Sequence, residues 1–492
     1  MNRLACIVFV VLIAFQARAE FKLTDKCRQA YGASFSGQFQ KAKSLLETEL
    51  QESPDNSTAY FLQGLNAYIN TVFAENDSLD LVFLRAHDKL ISAIKKSDEH
   101  EFRKYALAEL HLQKGVVALR QSKYFSGLLD LRRSYSLLED NLEDYPNFAL
   151  TKKNYYILQA LLSNVPDSYR GLVEFLGYKT DQYKALSELD SLQVSLEKDE
   201  EYGLFRKEVN LYRAVLMHGL TERYDEALQI IRDNTIDFKT NPISCFIRGK
   251  MCLDSKKTSE AIEVLEHFAG KDCPFPYINY DLGNAYLYSL NPKCKMYFAY
   301  YITQSTGTGL MNDTYLRLAW WGYMNNDQAF TDQWLGYMVS PNPSAREKDE
   351  IALKEAAVLK KTHPLLIKAR LTFDGGYYEY SIDQIVDKES EIATDDFNKV
   401  RYYYQLGRLY QDMNQFEEAV KWFQKVAATP FNNKEYFVPV SIFNMGLIYE
   451  NRLHNHEKAL LYYSKCMDYR NYPYASTYRY KSELAVQRLE SE

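Results

Sequence analysis

The chain has 492 residues, and its 59 basic and 65 acidic side chains leave a net charge of -6 without a long basic run. This balance argues against nucleic acid and anionic lipid as partners, since both are bound through clustered Lys and Arg. The composition, 46% apolar and 25% charged, is that of a folded chain, and the small numbers of Pro and Gly, 13 and 20, suit helices.

The first 19 residues have the pattern of a secretory signal peptide: Arg3, an apolar run over 4–15, and Ala-Arg-Ala at 17–19 before Glu20. The apolar run is shorter than the roughly 20 residues of a spanning helix, so an uncleaved membrane anchor is the less favoured alternative. We therefore expect an exported chain, in a bacterial periplasm by preference or else secreted, with no transmembrane segment after cleavage. Three glycosylation sequons, which a chain of this length contains by chance, begin at Asn56, Asn76 and Asn312.

Residues 20–240 are predicted to form an N-terminal helical repeat region. A tetratricopeptide unit is two antiparallel helices in about 34 residues. Close crossing requires a small residue in the first helix, a second small residue twelve positions later and a large apolar residue four positions further. Gly115, Gly127 and Leu131 have this spacing. Second-helix fragments occur around Ala42 and Ala227.

Residues 241–340 are predicted to contain the middle tetratricopeptide-like repeats. Gly249, Ala261 and Leu265 repeat the same spacing, and a first-helix fragment surrounds Gly283. The Pro- and Ser-rich segment 341–350 is predicted to be a loop or hinge.

Residues 351–492 are predicted to be C-terminal tetratricopeptide repeats, because the pattern is clearest here. One copy is Gly407, Ala419 and Phe423, and the next, with one residue added in its turn, is Gly446, Ala459 and Tyr463. Alternating strand patterns are almost missing from the sequence. The predicted fold is therefore all-α, a tetratricopeptide-like superhelix of helical hairpins, or α-solenoid.

Several segments resemble the tetratricopeptide-repeat-39 and inclusion-body-clearance family. The segments are 104–110 leading to 127–135, 162–166 followed by 175–178, and 436–439 before 445–449. The family's Trp-Ser pair is replaced here by Gln304-Ser305 and the following residues. The resemblance implies a helical-repeat fold and no defined biochemical activity, and the intracellular roles of that family are not expected of an exported chain.

No sequence pattern indicates catalysis, a cofactor or a metal. There is no His-Glu-x-x-His helix, phosphate loop or nucleophile elbow. His454 and His456 are close in sequence, but a solvated inter-helix turn is the preferred interpretation. A pair of hydrolytic carboxylates need not be visible in sequence, so a glycan hydrolase remains the third hypothesis. We expect a non-enzyme without cofactor or metal.

Six cysteines follow the signal sequence. Cys245 and Cys273 could meet at one end of a hairpin and are the best disulfide candidates. The alternative is that the cysteines are buried thiols at small repeat positions.

A partner groove is predicted along the first helices of the two clearest repeats, at Tyr404, Arg408, Phe443 and Leu447. These side chains are mainly aromatic or aliphatic, which disfavours a clamp for a peptide carboxylate and favours an apolar helix or an extended peptide. The alternative is that they only pack the repeats together. The leading hypothesis is a scaffold for a protein or peptide partner, of unknown oligomeric state. The second is a carrier of an apolar small molecule or lipid.

Overall fold

The computed structural model describes residues 21–74, 77–121, 123–163, 177–178, 181–221, 223–233, 237–306, 309–339, 347–432 and 434–491. These residues form α-helices and short 3₁₀ turns, and the described ranges contain no β-strand. None of their helices is long and apolar enough to cross a membrane. The predicted signal peptide, 1–19, lies outside the described residues, as does 341–346 of the predicted loop. Residues 347–350 of that loop are helical.

The chain divides into two compact units. Unit 1 comprises residues 1–72 and 78–155, and unit 2 comprises 73–77 and 156–492. The helices that lie in unit 1 or begin there are α1 (Asp25–Phe35), α2 (Phe39–Glu52), α3 (Ser57–Ala74), α4 (Asp77–Ile94), α5 (Glu101–Arg120), α6 (Tyr124–Asp144) and α7 (Ala149–Leu162).

Unit 2 contains the remaining helices, most of them paired into successive hairpins. They are α8 (Gln182–Ser195), α9 (Arg206–Leu220), α10 (Tyr224–Asp233), α11 (Pro242–Asp254), α12 (Thr258–Leu265), α13 (Pro276–Tyr288), α14 (Cys294–Gln304), α15 (Met311–Met324), α16 (Gln328–Tyr337), α17 (Glu347–Ala356), α18 (Pro364–Asp374), α19 (Tyr378–Asp383), α20 (Glu389–Ile392), α21 (Asp396–Asp412), α22 (Phe416–Ala427), α23 (Phe437–Asn451), α24 (His456–Met467) and α25 (Ala475–Ser491).

The predicted spacing of small residues corresponds to real helix crossings. A Cβ atom at Gly407 would lie 2.5 Å from the ring of Phe423. Gly446 lies equally tightly against Tyr463, and Gly249 against Leu265. The residue four positions after the second-helix Ala therefore covers the first-helix Gly. The hairpin pattern is confirmed in both units, because Gly115 faces Leu131 in the same way.

The tight turns inside the hairpins share a left-handed residue. Asn326 (φ 57°), Asn414 (φ 59°) and His454 (φ 47°) each follow the first helix of a hairpin. A left-handed residue ends a helix and reverses the chain, and Asn tolerates this conformation better than most residues. His454 is thus in the inter-helix turn that the sequence predicted.

Buried asparagines at or near the start of first helices fasten them to loops, most of them elsewhere in the fold. Asn398 accepts the N–H of His363 at 2.9 Å and donates to the carbonyl of Lys361 at 3.0 Å. Asn279 exchanges the same two bonds with Gly270. Asn312 and Asn56 are equivalent residues, clamped to Val339 and to Lys22. Each clamp satisfies a loop N–H and a loop carbonyl that would otherwise lack partners.

Two of the three glycosylation sequons begin at these clamps. Asn56 is 1% exposed and Asn312 is 4% exposed. Their side-chain amide nitrogens already donate hydrogen bonds inside the protein. Neither can carry a glycan in the folded chain. Asn76, the third, lies outside the described residues.

Candidate functional site

Charged and polar side chains from successive helices of unit 2 meet on one surface, which we term the first-helix face. They share direct ion pairs, hydrogen bonds or close electrostatic interactions across neighbouring helices. The face comprises Lys250 and Asp254 of α11, Tyr280, Asp281 and Asn284 of α13, Asp313 and Arg317 of α15, Lys348 and Glu355 of α17, Arg370 and Asp374 of α18, and Tyr404 and Arg408 of α21.

Asp313 is the centre of the first network on this face. It accepts hydrogen bonds from the hydroxyl of Tyr280 at 2.5 Å and from Nε of Arg317 at 3.1 Å. Burial by itself lowers the pKa of Arg317, but Asp313 and neighbouring tyrosines outweigh burial and hold that pKa well above its usual value. Burial, followed by the charge of Asp313, also raises the pKa of Tyr280. Arg317 and Tyr280 therefore keep their protons at any physiological pH.

A second network links three helices further along the chain. Arg370 donates two hydrogen bonds to the carboxylate of Glu355, at 2.9 and 3.1 Å. Asp374 lies between Arg370 and Arg408, at 3.8 and 3.2 Å from their nitrogens. The two parallel bonds to Glu355 fix the orientation of the Arg370 guanidinium.

These guanidinium groups also contact aromatic rings. Arg317 and Arg370 lie 5.0 and 5.1 Å from the ring of Trp320, and Arg408 lies 4.0 Å from the ring of Phe373. Both rings are almost fully buried. The aromatic residues therefore position the charges and leave mainly polar groups at the surface.

Two residues of α13 on this face carry side-chain oxygens without a hydrogen-bond donor among the described residues. The carboxylate of Asp281 is 4% exposed, yet no hydrogen bond or ion pair joins it to any residue in the described part of the chain. Burial raises its pKa to about 6, although Lys250 and Lys348 act in the opposite direction. One turn later, the side-chain oxygen of Asn284 is buried with no donor in the part of the chain that the structure describes, while its nitrogen donates to the carbonyl of Tyr280 at 3.0 Å.

The four groove residues predicted from sequence lie in different environments. Tyr404 and Phe443 are buried in the hydrophobic core formed by α21 to α25, and Leu447 packs against the same core. Arg408 is the one of the four that belongs to the charged network. The positions predicted a mainly aromatic or aliphatic lining. The first-helix face instead carries alternating cations and carboxylates.

The other chemical candidates from sequence have structural explanations. Cys245 and Cys273 are free thiols, and their Sγ atoms donate to the carbonyls of Val264 and Phe275. The disulfide suggested between them is therefore not formed in this structure, which corresponds to the alternative of buried thiols. Among the described residues, no three His, Cys, Asp or Glu side chains are grouped as a metal site would require.

Sequence reasoning missed most of the first-helix face, although a signal was available. Tyr404 and Phe443 lie three residues before Gly407 and Gly446, and Arg408 and Leu447 lie one residue after them. The same count from Gly283 gives Tyr280 and Asn284, and from Gly249 it gives Lys250. Asp281 does not occupy either of these positions, and no sequence pattern distinguishes it from the other carboxylates of the chain.

A family model for the tetratricopeptide repeat matches residues 400–429, which cover most of α21 and all of α22. The fold is an all-α, tetratricopeptide-like α-solenoid. The human IFIT1 dimer with m7Gppp-AAAA is similar at 12% identity and a TM-score of 0.31, over 96% of this chain and 81% of that one. The APC/C hetero-tetramer Cut9-Hcn1 is similar at 14% identity and a TM-score of 0.25, over 95% and 90%. No curated protein matches the chain in sequence.

Proposed function

We propose that this chain is an exported, non-catalytic scaffold that binds a protein or peptide partner through the first-helix face of unit 2. The observation that carries the proposal is the gathering, on one surface, of hydrogen-bonding groups from six helices that are far apart in sequence. Stacked hairpins characteristically present their partners with an extended surface of this kind.

The packing of the aromatic residues supports a polar partner over an apolar small molecule or lipid. The largest fully buried side chains include Tyr105, Tyr301, Tyr402 and Tyr463, which fill the repeats rather than line a surface. These four tyrosines are therefore part of the core.

The absence of catalysis is also a proposal, and the carboxylates of the face support it. Asp313, Glu355 and Asp374 are each engaged in an ion pair with an arginine of the face, so these carboxylates have a structural partner already. Export rests on the signal-like segment 1–19 and predicts that the mature protein begins at Glu20, which N-terminal sequencing of the exported chain would test.

The more specific likeness to the tetratricopeptide-repeat-39 family remains a proposal. Two of the segments that carry it form the first and second helices of one hairpin, α5 and α6, and a third lies in α23. These placements are in repeat hairpins, the fold that the resemblance implies. Most of the 162–178 segment lies outside the described residues.

The function is tested by capture of partners from the extract of the native organism. Replacing both members of the Arg370–Glu355 pair by Ala should abolish capture of any specific partner. The matched control removes the exposed Arg479–Glu483 pair of α25, 2.8 Å apart, and should capture normally. Equal capture by both variants would contradict the assignment of this face. Lipid in the extracted, purified protein would instead favour a carrier.

A further inference from the structure

We propose that Asp281 and Asn284 are the subsite at which the proposed peptide partner is held, by accepting hydrogen bonds from its backbone N–H groups. The inference rests on the proposed function and adds the chemistry that this part of the face recognises. It begins from two acceptors, the Asp281 carboxylate and the Asn284 side-chain oxygen, that have no donor among the described residues.

An unpaired acceptor inside a protein is costly unless a ligand or water completes it. Asp281 and Asn284 are three residues apart on α13, so their side chains are neighbours on one helix surface. The amide orientation of Asn284 is set by its bond to the Tyr280 carbonyl, which leaves the oxygen, buried in the unliganded chain, without a donor among the described residues. The two residues therefore present two acceptors side by side.

The charges around Asp281 decide what can donate to it. Lys250 and Arg317 interact with it electrostatically from α11 and α15, and Lys348 does so from α17. These three cations oppose the binding of an ammonium group or a metal ion. Asp254 and Asp313 lie in the same surroundings and oppose a carboxylate. An uncharged N–H donor meets neither repulsion.

The spacing fits an extended peptide. Alternate N–H groups of an extended chain point to the same side and are separated by roughly 6.5–7 Å. Side chains three residues apart on a helix have Cβ atoms about 5–6 Å apart, and both side chains here reach beyond Cβ. Lys348, an exposed cation 5.9 Å from the ring of Tyr280, is placed to donate to a carbonyl of the same chain.

A glycan is the other ligand rich in uncharged donors, and the structure favours it less. Sugar rings are usually bound against an exposed aromatic face. Tyr280, Trp320 and Tyr404 are all less than 10% exposed, and their rings face packed side chains.

The test uses the full mature chain and a linear peptide selected on it from a random library displayed on phage, then synthesised with acetylated and amidated ends. Asp281→Ala and Asn284→Ala should each weaken binding of this peptide about tenfold, the typical loss of a hydrogen bond to a buried acceptor. The control, Glu263→Ala on the exposed surface of α12, should bind normally. Asp281→Asn keeps an acceptor and should recover part of the affinity.

Ester analogues of the peptide identify the recognised atoms. Replacing one backbone N–H by an ester oxygen should weaken binding to the unaltered chain. An ester that removes the N–H bound by Asp281 should cause no further loss in Asp281→Ala, and an ester that removes the N–H bound by Asn284 should cause none in Asn284→Ala. Circular dichroism of each variant confirms that it is folded.

The outcomes separate this inference from the proposed function. A peptide that loses affinity when the Arg370–Glu355 pair is removed, but binds Asp281→Ala and Asn284→Ala normally, would overturn the subsite alone. Failure of the chain to select any peptide would overturn the subsite, whereas the proposed function is decided separately by the capture experiment with the Arg370–Glu355 variant. Binding of an arrayed glycan that disappears in Asp281→Ala would overturn the peptide as the ligand.

Discussion

Asp281 is a residue at which binding and stability oppose each other. Its carboxylate is almost fully buried, without a hydrogen bond or ion pair to the described residues, and burial raises its pKa from 3.8 to about 6. The folded state therefore binds a proton between these values that the unfolded state releases. Stability is lost as pH rises through about 6, because the folded chain must then hold an unpaired negative charge.

Asp281→Asn should consequently stabilise unit 2 at neutral pH. The expected gain is on the order of 2–3 kcal/mol near pH 7.5, should shrink as the pH falls from about 6 to about 4, and should disappear below about pH 3, where the carboxyl is protonated in both states. Thermal unfolding of the two chains across this pH range measures the difference. Glu263→Gln, an exposed control, should show no such pH dependence. A gain from Asp281→Asn that is independent of pH would contradict the explanation.

A substitution at Gly407 tests how closely the two helices of a hairpin pack at this crossing. Gly407→Ala places a methyl group 2.5 Å from Phe423, which should destabilise the chain by about 1–3 kcal/mol. Gly219→Ala in α9 is the matched control, since nothing lies within 4 Å of its new methyl group. The control should be neutral or stabilise by up to about 1 kcal/mol. Denaturant unfolding followed by circular dichroism distinguishes the two, and equal effects would show that the crossing is not tight.

At the scale of whole helices, the asparagine clamps fix where a first helix meets a loop from another part of the chain. Asn398→Ala would leave the N–H of His363 and the carbonyl of Lys361 unpaired, and should destabilise by about 1–3 kcal/mol. Asn444→Ala in α23 is a suitable control, because Asn444 is half-buried and has no hydrogen bond within the described residues. A loss no greater than that of Asn444→Ala would mean that the clamp contributes little.

The hairpins could be predicted from sequence because they depend on local spacing. Gly407, Ala419 and Phe423 lie within 17 residues, and their separation alone reports two crossing helices. The clamps were not predicted, because Asn398 and Asn279 differ in their distance from the following Gly. The charged face also escaped prediction: Arg370 and Arg408 meet at Asp374 only once separate hairpins have stacked.

At the scale of the molecule, the division into two units predicts that perturbations stay local. In stacked repeats, each hairpin is stabilised mainly by its immediate neighbours. Gly407→Ala should therefore increase amide hydrogen exchange in α21–α24 and leave α1–α6 unchanged. Mass spectrometry of exchanged peptides measures this directly. Faster exchange in α1–α6 as well would indicate one cooperative structure.

The clamped sequons have a practical consequence for producing the protein. In a eukaryotic secretory pathway, oligosaccharide is transferred to the nascent chain before the clamps close. A sugar attached at Asn56 or Asn312 would occupy the nitrogen that donates to Lys22 or Val339, and that chain could not complete its fold. Insect or mammalian secretion should yield a heterogeneous, poorly folded product, whereas a bacterial host, or removal of Thr58 and Thr314 by substitution with Val, should yield uniform material.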